Sequence, residues 1–398
     1  METEGRAPRV LVGVTGCIAA YKACEVVRLL QKAGCEVRVC MTEGGERFVA
    51  KATFEALTRY PVLDSLFSFE PTAIPHIDSA EWADLQLIVP CTANVFAKIA
   101  HGIADDALSS TVLAATSPVM VAPAMNVHMW QNPATQENVQ TLTRRGIQVL
   151  TPASGYLACG DVGEGKLPPV DQIAEAALSV LYANDALKGK RLLITAGPTH
   201  EAIDPVRYIA NASSGKMGYA LAREAARRGA EVTLVTGPVS LKAPYGVKAV
   251  PVVSAQDMYE AALSAWQESD CAICAAAVAD YTPKEPADHK LKKSHEHLDR
   301  VELVETKDIL AALGASKGTR PVVGFAAETN DVLAYAQRKL ETKQATMIVA
   351  NDVSRQDSTF GSDTDRVSFV TDAGIEEMPV LPKSEVASRI LDKIQTLL

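Results

Sequence analysis

Short apolar runs rich in β-branched residues alternate along the chain with segments whose apolar residues recur at helical spacing. The first run, RVLVGVTG at 9–16, predicts a strand that ends in glycine. A helix up to Ala33 is predicted after it, because apolar residues such as Ile18 and Val26 recur on one helical face. Since strands that alternate with helices form a parallel, doubly wound sheet, this half is predicted to be α/β. Further strands of this half are predicted at 36–42, 85–90, 118–122 and 147–151, and a helix at 171–186.

The same order of elements starts again after the polar segment NDALKGK. We place a boundary near Lys188, which divides the chain into domains 1–188 and 189–398. KAGCEVRVCMT at 32–42 aligns with RRGAEVTLVTG at 227–237 at its Gly, Glu and Val positions, as expected of two βα beginnings. We therefore predict two Rossmann-like domains with doubly wound parallel sheets. In the second half, strands are predicted at 191–197, 231–237, 271–280, 320–325 and 346–350, a helix at 214–229, and a hairpin of 366–372 with 374–380 before the last helix.

Composition excludes several classes of protein. A chain of 398 residues with 47% hydrophobic and 22% charged residues is ordinary for a globular protein, and its length predicts two or three domains. The absence of an apolar leader or a run of about 20 apolar residues predicts a cytoplasmic protein without a membrane span. The eight cysteines lie mostly in apolar runs, so we expect reduced thiols rather than a disulfide framework.

The charge of the chain argues against a nucleic-acid partner. The formal net charge is -9, most of it in the first half, and neither half has a bulk basic surface. The only local basic cluster is Lys290, Lys292 and Lys293, which is too small for a duplex but adequate for a triphosphate. Such a cluster is more often a solvated surface.

Two segments of the first half suit a phosphate-bearing ligand. TGCIAAYK at 15–22 places a glycine and free amides at a helix start directly after a strand, although a simple tight turn has the same pattern. PCTAN at 90–94 places Thr92 and Asn94 at another strand end, where open α/β sheets bind ligands. Helix N-capping explains the second segment about equally well.

Three single residues of the first half are candidates for chemistry. His76 follows Pro75 near a helix start, where a cap or a satisfied core histidine is the commoner role. Asn126 follows the apolar strand SPVMVA and suits a substrate contact, although the methionines beside it suit a core. Cys159 lies in the glycine-rich segment GYLACGDVGEGKLPP, which predicts a mobile loop that presents a thiol to a ligand.

Together these segments resemble the flavin-containing cysteine decarboxylases, specifically the phosphopantothenoylcysteine decarboxylases, over nearly the whole first half. The resemblance implies that Asn126 contacts the substrate carboxylate and that His76 is a base or an orienting group. It also implies that Cys159, in the Ala-Cys-Gly of a flexible clamp, is the proton donor. The resemblance implies an FMN site formed by Gly16, Cys17, Ile18, Thr42, Thr92, Asn94 and Met125.

The residue types suit this chemistry, and the chain departs from the family pattern in two places. Loss of CO₂ from a cysteinyl carboxylate needs an electron sink, which a flavin supplies, and the later reduction needs a proton. Cys17 stands where the family has a serine, which removes one hydrogen bond to the phosphate. GKLPP at 165–169 replaces the clamp's Gly-Arg-Met-x-Glu-Pro.

In the second half, the motifs favour a nucleotide other than NAD. The loop around Asn211 is longer and poorer in glycine than a dinucleotide fingerprint, and its sequon at Asn211 has no secretory context. Cys271 and Cys274 form a C-x-x-C without a partner pair, which favours core packing over a metal site. Asp280 is predicted at the end of a buried strand, where it suits a ribose or metal contact.

Residues 190–398 resemble the phosphopantothenate-cysteine ligases. The matching motifs are Asn211-x-Ser-Ser-Gly-Lys-Met-Gly, AAVADY at 276–281, the lysine run from Lys290 and GFAAET at 324–329. The resemblance implies CTP as the nucleotide, Mg²⁺ carried mainly by its phosphates, and a role for Asn211 in turnover of an acyl-cytidylate. ETKDIL at 305–310 lacks the Asn-Pro of the family segment. The implied nucleotide contacts are Asp280, Lys290, Lys307, Asp308, Ile309, Leu310, Phe325, Lys339 and Lys343.

Activation by CTP suits these residue types. A carboxylate is inert toward an amine until its carbonyl carbon is bonded to a good leaving group. Lysines and Mg²⁺ offset the charge that develops on the phosphates, and a loop that carries Lys290 can close once nucleotide and acid are bound. The joint resemblance implies a bifunctional enzyme that joins 4'-phosphopantothenate to L-cysteine and decarboxylates the product. It further implies trimers or dodecamers of the flavin domain and dimers of the ligase domain.

Two rival functions are less consistent with the residues. A two-domain NAD(P) oxidoreductase needs a G-x-G-x-x-G with an acidic residue about 20 residues later, and none is present. A flavin-binding regulatory subunit without catalysis would be expected to lack His76 or Cys159, and both are present.

Overall fold

The alternating apolar and amphipathic segments form two units in the computed structural model, Met1–Tyr182 and Ala183–Leu398. The predicted boundary near Lys188 lies in the polar segment that opens the second unit. The structure describes residues 6–67, 74–156, 160–292, 300–328, 330–352 and 361–398.

The first unit is built on a five-stranded parallel sheet. A 3₁₀ turn at Ile18–Ala20 joins the first strand to the first helix. The strands are β1 (Arg9–Val14), β2 (Glu36–Met41), β3 (Leu85–Cys91), β4 (Val119–Pro123), β5 (Gln148–Val149), β6 (Ala153–Tyr156) and β7 (Val162–Lys166). The helices are α1 (Tyr21–Lys32), α2 (Glu43–Glu46), α3 (Lys51–Thr58), α4 (Pro75–Trp82), α5 (Ala93–His101), α6 (Ala107–Leu113), α7 (Val127–Gln131), α8 (Pro133–Arg144) and α9 (Val170–Leu181).

The sheet of the first unit has the order β2-β1-β3-β4-β5 and is covered by helices on both faces. Residues of β1 alternate between the faces, since Val10 and Val12 pack with α1 and α9 while Leu11 packs with α5 and α6. β6 and β7 form a separate antiparallel hairpin. The prediction of a doubly wound α/β unit is confirmed.

The second unit is built on an eight-stranded sheet. Its helices are α10 (Lys216–Arg227), α11 (Ala255–Trp266), α12 (Ile309–Ala315), α13 (Val332–Thr342) and α14 (Lys383–Gln395). The strands are β8 (Arg191–Ala196), β9 (His200–Ala202), β10 (Tyr208–Ala210), β11 (Glu231–Thr236), β12 (Val247–Pro251), β13 (Cys271–Cys274), β14 (Tyr281–Pro283), β15 (Leu303–Glu305), β16 (Val322–Glu328), β17 (Met347–Asp352), β18 (Thr364–Asp365), β19 (Val367–Thr371), β20 (Gly374–Glu377) and β21 (Leu381–Pro382).

This sheet has the order β12-β11-β8-β13-β16-β17-β19-β20. Six neighbouring strands are parallel, and the predicted hairpin of β19 and β20 is present as an antiparallel edge, so the sheet is mixed. Ile194 packs on one face with α10 and α14, while Leu193 packs on the other with α11 and α12. Short antiparallel pairs outside the sheet are β9 with β10, β14 with β15, and β18 with β21.

One predicted strand is much shorter than the sequence suggested. The run at 271–280 is extended sheet only as far as Cys274, and Asp280 follows six residues later in a loop. The alanines after Cys274 keep isolated backbone bonds to the end of β8, from the Ala275 amide to Thr195 and from the Ala277 amide to Gly197, but they also line a cleft and do not continue the strand. Asp280 is therefore positioned by a loop beyond the strand end.

The C-x-x-C pair does not converge. Cys271 belongs to the core on one face of the sheet and Cys274 packs on the other, because side chains three apart on a strand point to opposite faces. Burial raises the pKa of the Cys274 thiol to about 12. Within the described ranges, no group of three His, Cys, Asp or Glu side chains is arranged to hold a metal ion. Nor does any described helix have the length and apolarity needed to cross a membrane.

Candidate functional sites of the two units

In the first unit, the ends of β1, β2 and β3 are tied together at the carboxyl edge of the sheet. The buried Thr15 links two of them, since its hydroxyl donates to the Pro90 carbonyl at 2.7 Å and accepts from the Thr92 amide at 3.0 Å. The Thr42 amide donates to the Val14 carbonyl at 3.1 Å. These bonds place three of the segments with predicted FMN contacts side by side, where ligands bind in open α/β sheets.

The turn after β1 forms a narrow cradle. A Cβ on Gly16 would lie 3.0 Å from backbone atoms of Gly44, so the two backbones meet without room for side chains. Cys17 caps the 3₁₀ turn, with its sulfur accepting from the Ala19 amide at 3.5 Å, while Ile18 is 60% exposed. Burial raises the pKa of the Cys17 thiol, so it is neutral at pH 7 and places no negative charge beside a phosphate.

The threonines at the next two strand ends are N-caps. Thr42 accepts from the Gly45 amide at 3.2 Å, and Thr92 accepts from the Val95 amide at 3.4 Å. A capping hydroxyl keeps its own proton, so Thr92 can still donate to a ligand oxygen, whereas the Thr42 hydroxyl already donates weakly to the Val14 carbonyl at 3.5 Å. Asn94 is exposed on the first turn of α5. The capping alternative is therefore observed, and it is compatible with the predicted ligand contact.

His76 stands on the first turn of α4, directly after Pro75 at the helix start. Its Nδ1 atom is buried and has no hydrogen-bond partner among the described residues. No described hydrogen bond joins His76 to the turns at the sheet edge. A buried polar atom without a partner costs free energy, which a ligand that supplied the missing bond would recover. This atom fits the expectation that another group completes the site.

Asn126 caps α7, directly after β4 at the same edge of the sheet. Its Oδ1 accepts from the His128 amide at 2.8 Å, and its Nδ2 donates to the Asp161 carboxylate at 2.7 Å. The neighbouring Met125 amide donates to the Gly165 carbonyl at 2.9 Å. Asn126 is thus held between the sheet and the hairpin of β6 and β7.

Glycine allows the hairpin to approach this segment closely. A Cβ on Gly165 would lie 2.4 Å from the Met125 carbonyl, and one on Gly163 would lie 2.7 Å from the Val127 side chain. Two glycines of the predicted clamp therefore serve close packing against this segment. Cys159, the predicted proton donor, lies outside the described residues.

The second unit has a cleft of about 840 Å³ at the carboxyl ends of its parallel strands. The loop of 211–218 forms one wall, and the start of α12 forms another. Ten predicted site residues were assigned to this unit, and Lys290 alone does not line the cleft and is exposed. The nine that do are Asn211, Asp280, Lys307, Asp308, Ile309, Leu310, Phe325, Lys339 and Lys343.

The nucleotide candidates hold one another in place. Lys343 pairs with Asp308 at 2.7 Å, and Asp308 also caps α12 through the Ala311 amide at 2.8 Å. Burial would raise the pKa of Asp308, but the bonds from Lys343 and Ala311 outweigh it and lower the pKa. Lys339 donates to the Phe325 carbonyl at 2.8 Å. The cleft therefore has a preformed set of charged groups despite the missing Asn-Pro.

Asn211 lies on the loop that packs α10 against β8. Its Nδ2 donates to the Val278 carbonyl at 2.9 Å, which joins two of the matching motifs across the cleft. A Cβ on Gly218 would lie 2.5 Å from the Ala196 side chain, so glycine is needed for the helix to start this close to the strand. Asn211 is thus exposed at the cleft, with its amide nitrogen bound to the backbone two residues before Asp280.

The sequence did not predict how the Lys290 loop is held. Asp204 is buried and accepts from the amides of Val206 and Arg207 at 2.8 Å and of Leu291 at 3.2 Å. Arg207 donates to the Asp204 carboxylate and, at 2.9 Å, to the Leu291 carbonyl. The Arg207 hydrogen bond lowers the pKa of Asp204 well below its usual range. The short spacing of aspartate and arginine in IDPVR is a detectable sign of such a turn.

Two further lysines of the cleft were also missed. Lys216 donates to Asp363 at 2.7 Å, and Lys383 donates to the Ser362 carbonyl at 2.6 Å. Lys383 is 6% exposed, and burial lowers its pKa. Lys216 lies inside the quoted Ser-Ser-Gly-Lys-Met-Gly motif and could have been found there. Lys383 begins the last helix and has no motif around it.

Models of two protein families match almost the whole chain. A flavoprotein family matches residues 1–181, and the DNA/pantothenate metabolism flavoprotein C-terminal domain matches residues 187–398. The two matches meet near the division between the two units.

Curated relatives match across both units. The coenzyme A biosynthesis bifunctional protein CoaBC of Bacillus subtilis is 49% identical over 98% of this chain and 97% of its own. The protein of the same name from Vibrio vulnificus is 46% identical over 98% of both chains. A crystal structure of the C-terminal domain of such a bifunctional protein is 47% identical, with a TM-score of 0.47 over 54% of this chain and 98% of that one.

Proposed function

The chain belongs to the family of coenzyme A biosynthesis bifunctional proteins, and from its two sites we propose that it makes 4'-phosphopantetheine in two consecutive reactions. Its second unit is the ligase and its first unit is the flavoprotein decarboxylase. The ligase unit joins 4'-phosphopantothenate to L-cysteine with CTP. The decarboxylase unit removes CO₂ from the product, so that the substrate passes from the C-terminal to the N-terminal unit.

The observation that carries the decarboxylase proposal is the set of bonds from Thr15, Thr42 and Thr92 that joins adjoining strand ends. The close approach of Gly16 to Gly44 and the position of Asn126 after β4 at the same edge complete it. We assign FMN to this edge, with its phosphate at the cradle of Gly16 to Ile18. Thr42, Thr92, Asn94 and Met125 complete the proposed set. When bound, FMN supplies an electron sink for loss of CO₂ and returns the electrons to the product.

The protein's own groups orient the substrate and move protons. Asn126 presents an amide N–H to the substrate carboxylate, and a neutral donor holds that group without favouring its charged ground state as a lysine would. His76, whose buried Nδ1 has no hydrogen-bond partner in the part of the chain that the structure describes, acts as a base or orients the reacting group. Cys159 is proposed to donate the proton to the reduced product.

In the ligase unit, the cleft supplies the charges that nucleotide activation needs. Lys307, Lys339 and Lys343 line it together with Asp280 and the start of α12 at Asp308 to Leu310, and Phe325 lies beside them. The substrate carboxylate attacks the α-phosphate of CTP, which forms an acyl-cytidylate and releases pyrophosphate. Asn211 then supports attack by the cysteine amine, which releases CMP. Mg²⁺ is proposed to bind mainly to the nucleotide phosphates.

Lys290 is assigned to the closed state of the ligase site. It is exposed and lies on the loop held by Asp204 and Arg207. Closure of that loop onto the bound nucleotide would bring the ammonium to the phosphates. We also propose that the protein is cytoplasmic and a homo-oligomer, with a trimeric or dodecameric flavin unit, FMN between subunits, and a dimeric ligase unit.

The test is the complete reaction of the purified protein. We expect a yellow protein that converts 4'-phosphopantothenate, L-cysteine and CTP to 4'-phosphopantetheine, CO₂, CMP and pyrophosphate. Absorbance identifies the flavin, and mass spectrometry follows the intermediates. A colourless protein that releases no pyrophosphate with CTP would overturn the proposal.

Two variants test the roles proposed for Cys159 in decarboxylation and for Asn211 in ligation. Cys159→Ala is expected to stop at an oxidised, decarboxylated ene-thiol while pyrophosphate release continues. Asn211→Asp is expected to accumulate the acyl-cytidylate while decarboxylation of added phosphopantothenoylcysteine continues. Normal phosphopantetheine output from the first variant, or normal ligase turnover from the second, would contradict the role given to that residue.

A further inference from the structure

Asn126, the proposed contact for the substrate carboxylate, already binds a carboxylate of the protein. Its Nδ2 donates to Oδ2 of Asp161 at 2.7 Å, across 35 residues of sequence. Both side chains are half-buried. A hydrogen bond from an amide to an ionised carboxylate is stronger than one between neutral groups.

The orientation of the Asn126 amide is set by the helix that it caps. Its Oδ1 accepts from the His128 amide at 2.8 Å, so the opposite atom of the amide must be the nitrogen donor. The donor therefore points to Asp161 as a consequence of the cap. In the structure, the acceptor bound by the Asn126 Nδ2 donor is a carboxylate.

The hairpin holds Asp161 there from its other side. Asp161 directly precedes β7, and two positions of β7 are fixed against the Asn126 segment. The Met125 amide donates to the Gly165 carbonyl at 2.9 Å, and a Cβ on Gly163 would lie 2.7 Å from Val127. Asp161 is therefore placed at Asn126 by the packing of β7, and it lies just outside the strand itself.

We infer that Asp161 is a specificity-determining residue that occupies the place of the substrate carboxylate on Asn126 and competes with it. The inference rests on the proposed decarboxylase function. Nδ2 has a second N–H, but a carboxylate bound to it would lie beside the Asp161 carboxylate on the same nitrogen and be repelled by it, so a ligand with a carboxylate displaces Asp161. The decarboxylated product has no such group and binds with Asp161 in place. Asp161 thus weakens substrate binding relative to product binding, and its displacement is part of the ground state from which CO₂ is lost.

A pair of ligands that differ by one carboxylate tests this competition. The serine analogue of the substrate, N-pantothenoylserine 4'-phosphate, keeps the carboxylate but lacks the thiol that is oxidised. N-pantothenoylethanolamine 4'-phosphate lacks the carboxylate as well. Both should bind without turnover, so dissociation constants can be measured by calorimetry on the FMN-loaded full chain. The wild-type protein is measured first.

The variants are Asp161→Asn and Asp161→Ser. The first keeps the shape of the side chain and removes its charge, and the second also shortens the side chain so that it cannot contact Asn126. We expect the serine analogue to bind about tenfold tighter to both variants, and the ethanolamine analogue to change by less than about twofold. Glu164→Gln is the matched control, because Glu164 is an exposed carboxylate of the same hairpin. It should leave both constants unchanged.

The outcomes separate the inference from the function on which it rests. Equal affinity changes for the two analogues, or no change for either, would overturn the competition while binding by the wild type still supports a decarboxylase site. Weaker binding of the serine analogue alone would also overturn it, since Asp161 would then assist the substrate. Failure of both analogues to bind the wild-type protein would count against the proposed function itself.

Discussion

Cys17 shows how one departure from a family pattern can keep the local structure. Its sulfur caps the 3₁₀ turn where a serine hydroxyl would, at 3.5 Å from the Ala19 amide. A thiol is a weaker donor than a hydroxyl, and burial keeps this one protonated by raising its pKa. The turn is therefore formed, but its side chain offers a phosphate less than serine does.

We predict that Cys17→Ser strengthens FMN binding, because the hydroxyl adds one good hydrogen bond to the phosphate. The expected gain is about threefold to tenfold in the dissociation constant. Fluorescence titration of the flavin-free protein measures it. Cys24→Ser is the control, since Cys24 is also a partly buried thiol but lies within α1. An equal gain in the control would show that the effect does not come from the phosphate turn.

At the scale of elements, a buried carboxylate joins the loop before β10 to the loop that carries Lys290. Asp204 accepts from Leu291 across 87 residues, and Arg207 donates to the carbonyl of the same residue. The Arg207 bond lowers the pKa of Asp204 below the value of about 4 expected for an unfolded chain. This contribution to stability is complete above that unfolded value and is lost as the pH falls through the folded one.

We therefore predict that Asp204→Asn lowers the midpoint of thermal unfolding at pH 7, and that the difference from wild type shrinks as the pH falls below about 4. Calorimetric scans between pH 7 and pH 3 measure the difference. Asp185→Asn is the control, because Asp185 pairs with Lys188 at an exposed position of the same unit. A difference that stays constant across this pH range would contradict a stabilising ionised Asp204.

At the scale of the whole molecule, each unit has its own core. The two faces of the first sheet are covered by helices of the first unit, and the same holds for the second. In the first unit, α9 contributes Ile173, Ala176 and Ala177 to that core just before the division at Tyr182. A cut at the division therefore leaves both cores intact.

We predict that residues 1–182 and 183–398, produced separately, each fold and catalyse one reaction. Turnover of each piece should lie within about threefold of the full chain, as expected of autonomous domains. A piece that ends at Lys166 is the control, because it lacks α9 and exposes the apolar face that α9 covers. Loss of cooperative unfolding in residues 183–398 would contradict an independent second unit.

Local sequence is sufficient to predict the order of elements and the family of each half of this protein. Periodicity is sufficient to predict the order of strands and helices, and the short motifs identify the two families, because both depend on residues close together in the chain. The limit appears at 271–280, where alanines that line a cleft have the same apolar pattern as a strand. The hairpin of β19 and β20 was predictable because its turn lies between adjacent runs.

Contacts between distant segments were decided by the tertiary structure alone. The bond from Asn126 to Asp161, the anchoring of Leu291 by Asp204 and the position of Lys290 outside the cleft follow from which strands are neighbours and how closely their loops pack. A side chain's partner 35 or 87 residues away leaves no periodic trace in the sequence. Sequence therefore specifies the chemical groups of the two sites, because these belong to single residues and short motifs. The fold decides which of these groups are in contact, and it places the Asp161 carboxylate on Asn126.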